Sequence, residues 1–127
     1  MESEKKVSKG MLWTSYILQG IVVLMFLMGA INNLMQTEMA VEGAVSMGYP
    51  EGAVLYLGII LLLATLLYAI PKTMFVGAIL LTAWLGGAVA THIIHGDPMS
   101  NILFPVIFGV VVWASILLRS TQLRALL

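Results

Sequence analysis

His92, His95 and Asp97 are the residues of this 127-residue sequence whose types and spacing come nearest to a reactive or ligating set. On a helix, positions i and i+3 share a face, so both imidazoles can turn toward a carboxylate just beyond them. A metal ion is geometrically conceivable there. Two imidazoles and one carboxylate in a turn are too few for a ligand set, however, and no metal site is expected. Two readings remain: a polar cap at a helix end, with Asp97 and Pro98 shaping the turn, and a contact for a polar headgroup such as that of a quinone. Asn32, Asn33 and Gln36, followed by Glu38 and Glu42, close an earlier apolar run. With Asn101 they are expected to join the histidines in one polar cluster. Asn32, Asn33, Gln36, His92, His95 and Asp97 are therefore the candidate ligand-binding residues, and no catalytic residue is assigned.

The chain has no cysteine, which removes thiolate nucleophiles, thiolate metal sites and thiol–disulfide relays. No nucleophile–base pair is visible, so catalysis by this chain alone is not expected. Ala83, Gly87 and Thr91 form one row of small residues at helical spacing, and Gly86 and Ala90 a second. Such rows let helix backbones approach closely in lipid, so these five residues are read as helix-packing positions within or between subunits. The alternative is a backbone groove that admits a flat ligand. Gln19 stands alone in an apolar run and should bond across to a neighbouring helix, with Thr65 and Thr82 as candidate partners. Those threonines can instead bond their own i−4 carbonyls.

The elements that must position these residues follow from composition. Hydrophobic residues make up 61% of the chain and charged residues 9%, where a soluble domain carries roughly a quarter charged. Lipid is the solvent that suits such a chain. One transmembrane domain over 1–127 is expected, all-α, a four-helix integral membrane bundle with spans at about 11–34, 53–70, 74–94 and 102–118. The first run is too long for a signal-peptide core and is read as a retained span. Pro50 opens the second span and Pro71 closes it; Gly96-Asp97-Pro98 turns the chain after the third; Pro105 should sit in the first turn of the fourth. Between the first two spans, Glu38, Glu42 and Ser46 recur every four residues, with Ala40, Val41, Ala44 and Val45 opposite. A short amphipathic helix at about 37–48 is expected there, lying on the membrane surface rather than folding back into the bundle.

Charge sets the direction. With four spans, Lys5, Lys6, Lys9, Lys72, Arg119 and Arg124 fall on one side, and Glu38, Glu42, Glu51 and Asp97 on the other. The positive-inside rule then puts both termini in the cytoplasm of a multi-pass protein of the inner (plasma) membrane. The spans hold no Asp, Glu, Lys or Arg, which argues against ion pathways and proton relays.

Several stretches carry a family resemblance: Gly48-Tyr49-Pro50-Glu51, Leu66 to Thr73, Gly77 to Ile93, Gly96-Asp97-Pro98, Leu103 to Gly109, and Leu123 to Leu127. Together they resemble the DoxX-like family of small membrane proteins. The resemblance implies a four-helix membrane bundle. It also implies a connection to the small membrane subunit of thiosulfate:quinone oxidoreductase, or to membrane chaperones and accessory subunits. Family members often carry a lysine near the end of the first span, in a Gly-x-x-Lys-Leu pattern. Here the stretch reads Ala30-Ile31-Asn32-Asn33-Leu34, with Asn33 at the lysine position, so a mechanism needing that charge is not expected to carry over.

The leading functional expectation is a non-catalytic accessory or assembly subunit that acts through helix–helix contacts. The alternatives are a quinone-linked subunit of a redox complex, with its polar site at the outer mouth of the bundle, and a small-solute carrier. Beyond the lipid bilayer, the expected partner is a second copy or another membrane subunit; the sparse, scattered basic residues exclude a nucleic-acid footprint. No cofactor is expected under the first reading, and a quinone under the second.

Overall fold

The computed structural model describes residues 7–127, and they are all-helical with no strand. Six helices follow in order: α1 (Lys9–Leu34), α2 (Glu38–Ser46), α3 (Ala53–Ala69), α4 (Met74–His95), α5 (Met99–Arg119) and α6 (Thr121–Ala125), with a 3-10 turn at Pro71–Thr73. Lys5 and Lys6 lie outside the described residues.

The four apolar helices α1, α3, α4 and α5 form a bundle. Each packs its backbone closely on two neighbours, in the cyclic order α1, α3, α4, α5, and long side chains such as Tyr68, which reaches Val112 O, bridge the diagonals. Three of them, α1, α4 and α5, are long and apolar enough to cross a bilayer. With its 17 residues, α3 spans about 25 Å at 1.5 Å per residue, a little short of a hydrocarbon core of about 30 Å.

Local chemistry sets the boundaries. Ser8 caps α1 by accepting from Met11 N–H at 3.1 Å, and Thr37 caps α2 by accepting from Ala40 N–H at 3.2 Å. The ends of α1, α2 and α4 share one closure, in which a left-handed residue lets the following N–H reach back to the helix's last free carbonyls. Gly48 (φ 100°) and Gly96 (φ 79°) supply it without strain, whereas Gln36 adopts φ 51° at the end of α1. Thr37 N–H bonds Asn32 O, Tyr49 N–H bonds Ala44 O, and Asp97 N–H bonds His92 O, at 3.2, 3.0 and 3.0 Å.

The fourth long helix begins earlier than hydropathy indicates, because Pro98 caps it and Met99 opens it. Pro105 consequently sits in the second turn, buried, and denies Asn101 O its helical partner.

Val22, Phe26, Leu61, Tyr68, Leu81, Leu85, Val112 and Ile116 fill the centre of the bundle. The outer faces carry large apolar side chains such as Ile59, Leu63, Ile79, Ile107 and Val110, all exposed. Apolar residues inside and outside together suit a protein whose surrounding solvent is lipid. Two glycines make the closest approaches. A Cβ on Gly77 would meet the backbone of Leu67 at 2.7 Å and that of Tyr68 closer still, and one on Gly58 would lie 2.9 Å from Asn33 Cβ and from Leu34 N.

Candidate functional site

The helix ends sort the charges among the described residues. Lys9, Lys72, Arg119 and Arg124 belong to the end formed by the start of α1, the α3–α4 turn and the close of α5. Glu38, Glu42, Glu51 and Asp97 belong to the opposite end.

At that acidic end, the closure of α4 draws the three residues of the His–Asp turn into one clamp. His92 Nδ1 lies 2.5 Å from Asp97 Oδ2, and His95 Nδ1 lies 2.6 Å from Asp97 Oδ1. The backbone bond from Asp97 N–H to His92 O fixes the carboxylate between the rings, and its side chain is only 13% exposed. Hydrogen bonds from His92 first, then His95, hold the Asp97 carboxyl below the usual carboxylate range. Each imidazole thus directs Nδ1 to the carboxylate, which leaves Nε2 of a neutral ring as an acceptor. Among the described residues, no group of three or more His, Cys, Asp or Glu is placed to hold a metal ion. No Ser, Thr or Tyr hydroxyl bonds either ring among them.

His92 also lines a cleft of about 570 Å³ that α2 roofs and α3 and α4 wall, within the 300–1,000 Å³ range of ligand pockets. Its floor is the row Ala83, Gly87, Thr91 with the Trp84 ring beside it; Leu57 and Ile60 come from α3, and Met39, Ala40, Ala44 and Met47 from the roof. Polar groups enter at the mouth. Asn33 lines it from α1, positioned by its close packing on Gly58. Tyr49 donates to Thr91 Oγ1 at 2.7 Å, because the Thr91 hydroxyl is committed to Gly87 O at 2.8 Å. No residue of α2 is buried, and the roof rests against α1 and α3.

Asn33 and His92 therefore converge on one cleft, but the other candidates do not all follow them. Asn32 donates to Met28 O of its own helix at 2.9 Å. Gln36 is exposed in the left-handed cap of α1, and Asn101 is exposed on α5. His95 and Asp97 hold His92 rather than line the cleft.

The small residues also lie differently from a packed row. A Cβ added at Gly86 or Gly87 meets nothing within 4 Å, so neither contacts another helix of this chain. Gly87 faces the cleft, while Gly86 faces an apolar groove of about 530 Å³ between α4 and α5, across from Gly109 and Trp113.

A second polar cluster, at the basic end, links α1, α3 and α5, and of its members only Gln19 stood out by sequence. Gln19 donates to Tyr68 O at 3.1 Å and accepts from an Arg119 Nη at 2.8 Å, while Thr65 and Thr82 bond their own i−4 carbonyls. Ser15 Oγ donates to Ser115 O at 2.6 Å and Ser115 Oγ donates to Ser15 O at 2.8 Å. Arg119 Nε reaches Ser15 Oγ at 2.6 Å, with its guanidinium over the Tyr16 ring at 4.2 Å. The available signal was the stripe Ser15, Gln19, Val22, Phe26, Ala30, which is the buried edge of α1.

Comparison with known proteins places most of this architecture in one family. The DoxX-like family matches residues 17–115, which run from within α1 to Ser115 on α5. No curated protein and no solved structure matches the chain.

Proposed function

The chain belongs to the DoxX-like family, and on that footing we propose that it is a non-catalytic membrane subunit that holds a ring-bearing amphiphile, of the quinone class, in the cleft beneath α2. The observation that supports this most is the lining. An apolar slot floored by Gly87 and flanked by Trp84 admits a flat ring, and Asn33 and His92 stand at its polar mouth. The Asn33 amide has no hydrogen-bond partner among the described residues and can donate to a ring carbonyl. The His92 Nε2 left by the Asp97 clamp can accept from a ring hydroxyl. The quinone-linked reading, second on sequence grounds, thus gains most from the geometry.

Purification in mild detergent followed by lipid extraction tests it. The wild-type chain should carry close to one quinone per polypeptide. Gly87→Leu should lower retention at least about tenfold by filling the slot. Its melting temperature should not fall, because nothing lies within 4 Å of the new Cβ and leucine has the better helix propensity. Wild-type protein free of quinone would sink the proposal.

A second reading rests on Gly86, whose open groove with Gly109 and Trp113 suits another membrane helix. It supports the accessory role through helix contacts, with a second copy or a partner subunit as the occupant. Loss of an oligomer in Gly86→Leu, with quinone retained, would separate the two sites.

The orientation proposed is termini in the cytoplasm of the inner membrane, from the basic end formed by Lys9, Lys72, Arg119 and Arg124. The cysteine-free chain lends itself to a direct check. In intact cells Glu51→Cys should react with an impermeant maleimide and Lys72→Cys should not; labelling of both from one side would overturn the arrangement.

A further inference from the structure

The basic end of the bundle holds a cavity of about 460 Å³ that is separate from the cleft. It opens where α3 passes through Pro71 into α4 and α5 passes through Ser120 into α6. Met74, Phe75, Ile116, Leu123 and Leu126 make its walls apolar. Among the described residues Arg119 is its one charged lining residue.

Among the described residues that arginine is held but not neutralised. Its partners, Ser15, Gln19 and the Tyr16 ring, are all uncharged. Among the described residues it forms no ion pair, and its Nη1 carries no hydrogen bond. Glu38, Glu42, Glu51 and Asp97 all belong to the other end of the bundle. A half-buried guanidinium among apolar walls gains most from a charged acceptor, and its planar fork suits a phosphate.

The neighbouring walls define the rest of the ligand. A free phosphate would gain nothing from five apolar side chains. An acyl chain would, and Phe75 and Leu126 are exposed there. The cavity also lies at the ends of two apolar helices, the level of the lipid headgroups. We propose that this cavity is a binding site for one anionic phospholipid, with its phosphate on Arg119 and an acyl chain against Phe75 and Ile116. Such a lipid supplies a negative charge that no described Asp or Glu side chain places at this end. The site owes nothing to the quinone cleft, and its test reads a different ligand.

Native mass spectrometry of the full chain in mild detergent, titrated with phosphatidylglycerol or phosphatidylcholine, tests the proposal. The wild-type chain should retain one phosphatidylglycerol at least about fivefold more tightly than phosphatidylcholine, the weight of one basic side chain near an anionic surface. Arg119→Gln should abolish that preference. Because Arg119 also braces α1, Gln122→Glu supplies a second arm. It puts a like charge on an exposed lining residue that the described network does not use, and should weaken phosphatidylglycerol binding by a similar factor with melting unchanged. Equal retention of the two lipids would overturn the proposal. So would displacement of phosphatidylglycerol by millimolar inorganic phosphate, or indifference to both substitutions.

Discussion

Gly77→Ala is expected to lower the melting temperature of the purified protein by on the order of 10 °C, from a cost of about 3 kcal/mol. The added Cβ would press on the main chain of Leu67 and Tyr68, not on a side chain that can rotate away. Relief requires α4 to move off the end of α3. That would shift Tyr68, whose hydroxyl donates to Val112 O at 3.0 Å and whose own carbonyl accepts from Gln19 at 3.1 Å. One methyl group would therefore disturb three helix contacts. Gly86→Ala is the matched control: it lies in the same helix, meets nothing within 4 Å, and gains about 1 kcal/mol of helix propensity. Thermal unfolding in one detergent, followed by circular dichroism, compares the two. Equal melting temperatures would mean that the α3–α4 approach carries no weight.

The contrast between Gly77 and Gly86 also marks what is readable in this chain without coordinates. Hydropathy and punctuation by Pro50, Pro71, Gly96 and Pro98 locate the apolar helices to within a few residues, because lipid forces long unbroken runs and proline ends them. The Glu38, Glu42, Ser46 repeat locates α2 for a similar reason, since one face must stay wet. Helix spacing also brings His92, His95 and Asp97 together, as a local pattern should. Which small residue meets which helix is a different matter. Gly86 and Gly87 satisfy the small-residue spacing and face open grooves, whereas Gly58 and Gly77, outside any such row, carry the close contacts. Spacing fixes the face of a helix, but only the fold decides what lies opposite. Asn33 shows the same limit. Its neighbour Asn32 is equally polar, yet the helix turns Asn32 back to Met28 O and leaves Asn33 to the cleft.

Arg119→Met is expected to destabilise the protein by about 2 kcal/mol, through groups left unsatisfied more than through the lost charge. Gln19 is buried, and its Oε1 accepts from Arg119 while its Nε2 serves the carbonyls of Tyr68 and Ala69 at 3.1 and 3.4 Å. Those two carbonyls belong to the last turn of α3, where no intrahelical donor remains. Arg119 thus holds Gln19, which in turn supplies the end of α3 with its donor. The serine pair beneath it, in which each hydroxyl bonds the other helix's carbonyl, keeps α1 and α5 close enough for the arginine to reach. A chain of this kind makes its members interdependent. Gln19→Leu alone should cost a similar amount, and the double variant should fall short of the sum by about 1 kcal/mol or more. Measured in detergent stripped of phospholipid, the cycle isolates the bracing role from lipid binding. A headgroup-facing charge with no part in the network would leave melting unchanged under those conditions. Strict additivity of the two substitutions would likewise show that Gln19 and Arg119 act separately.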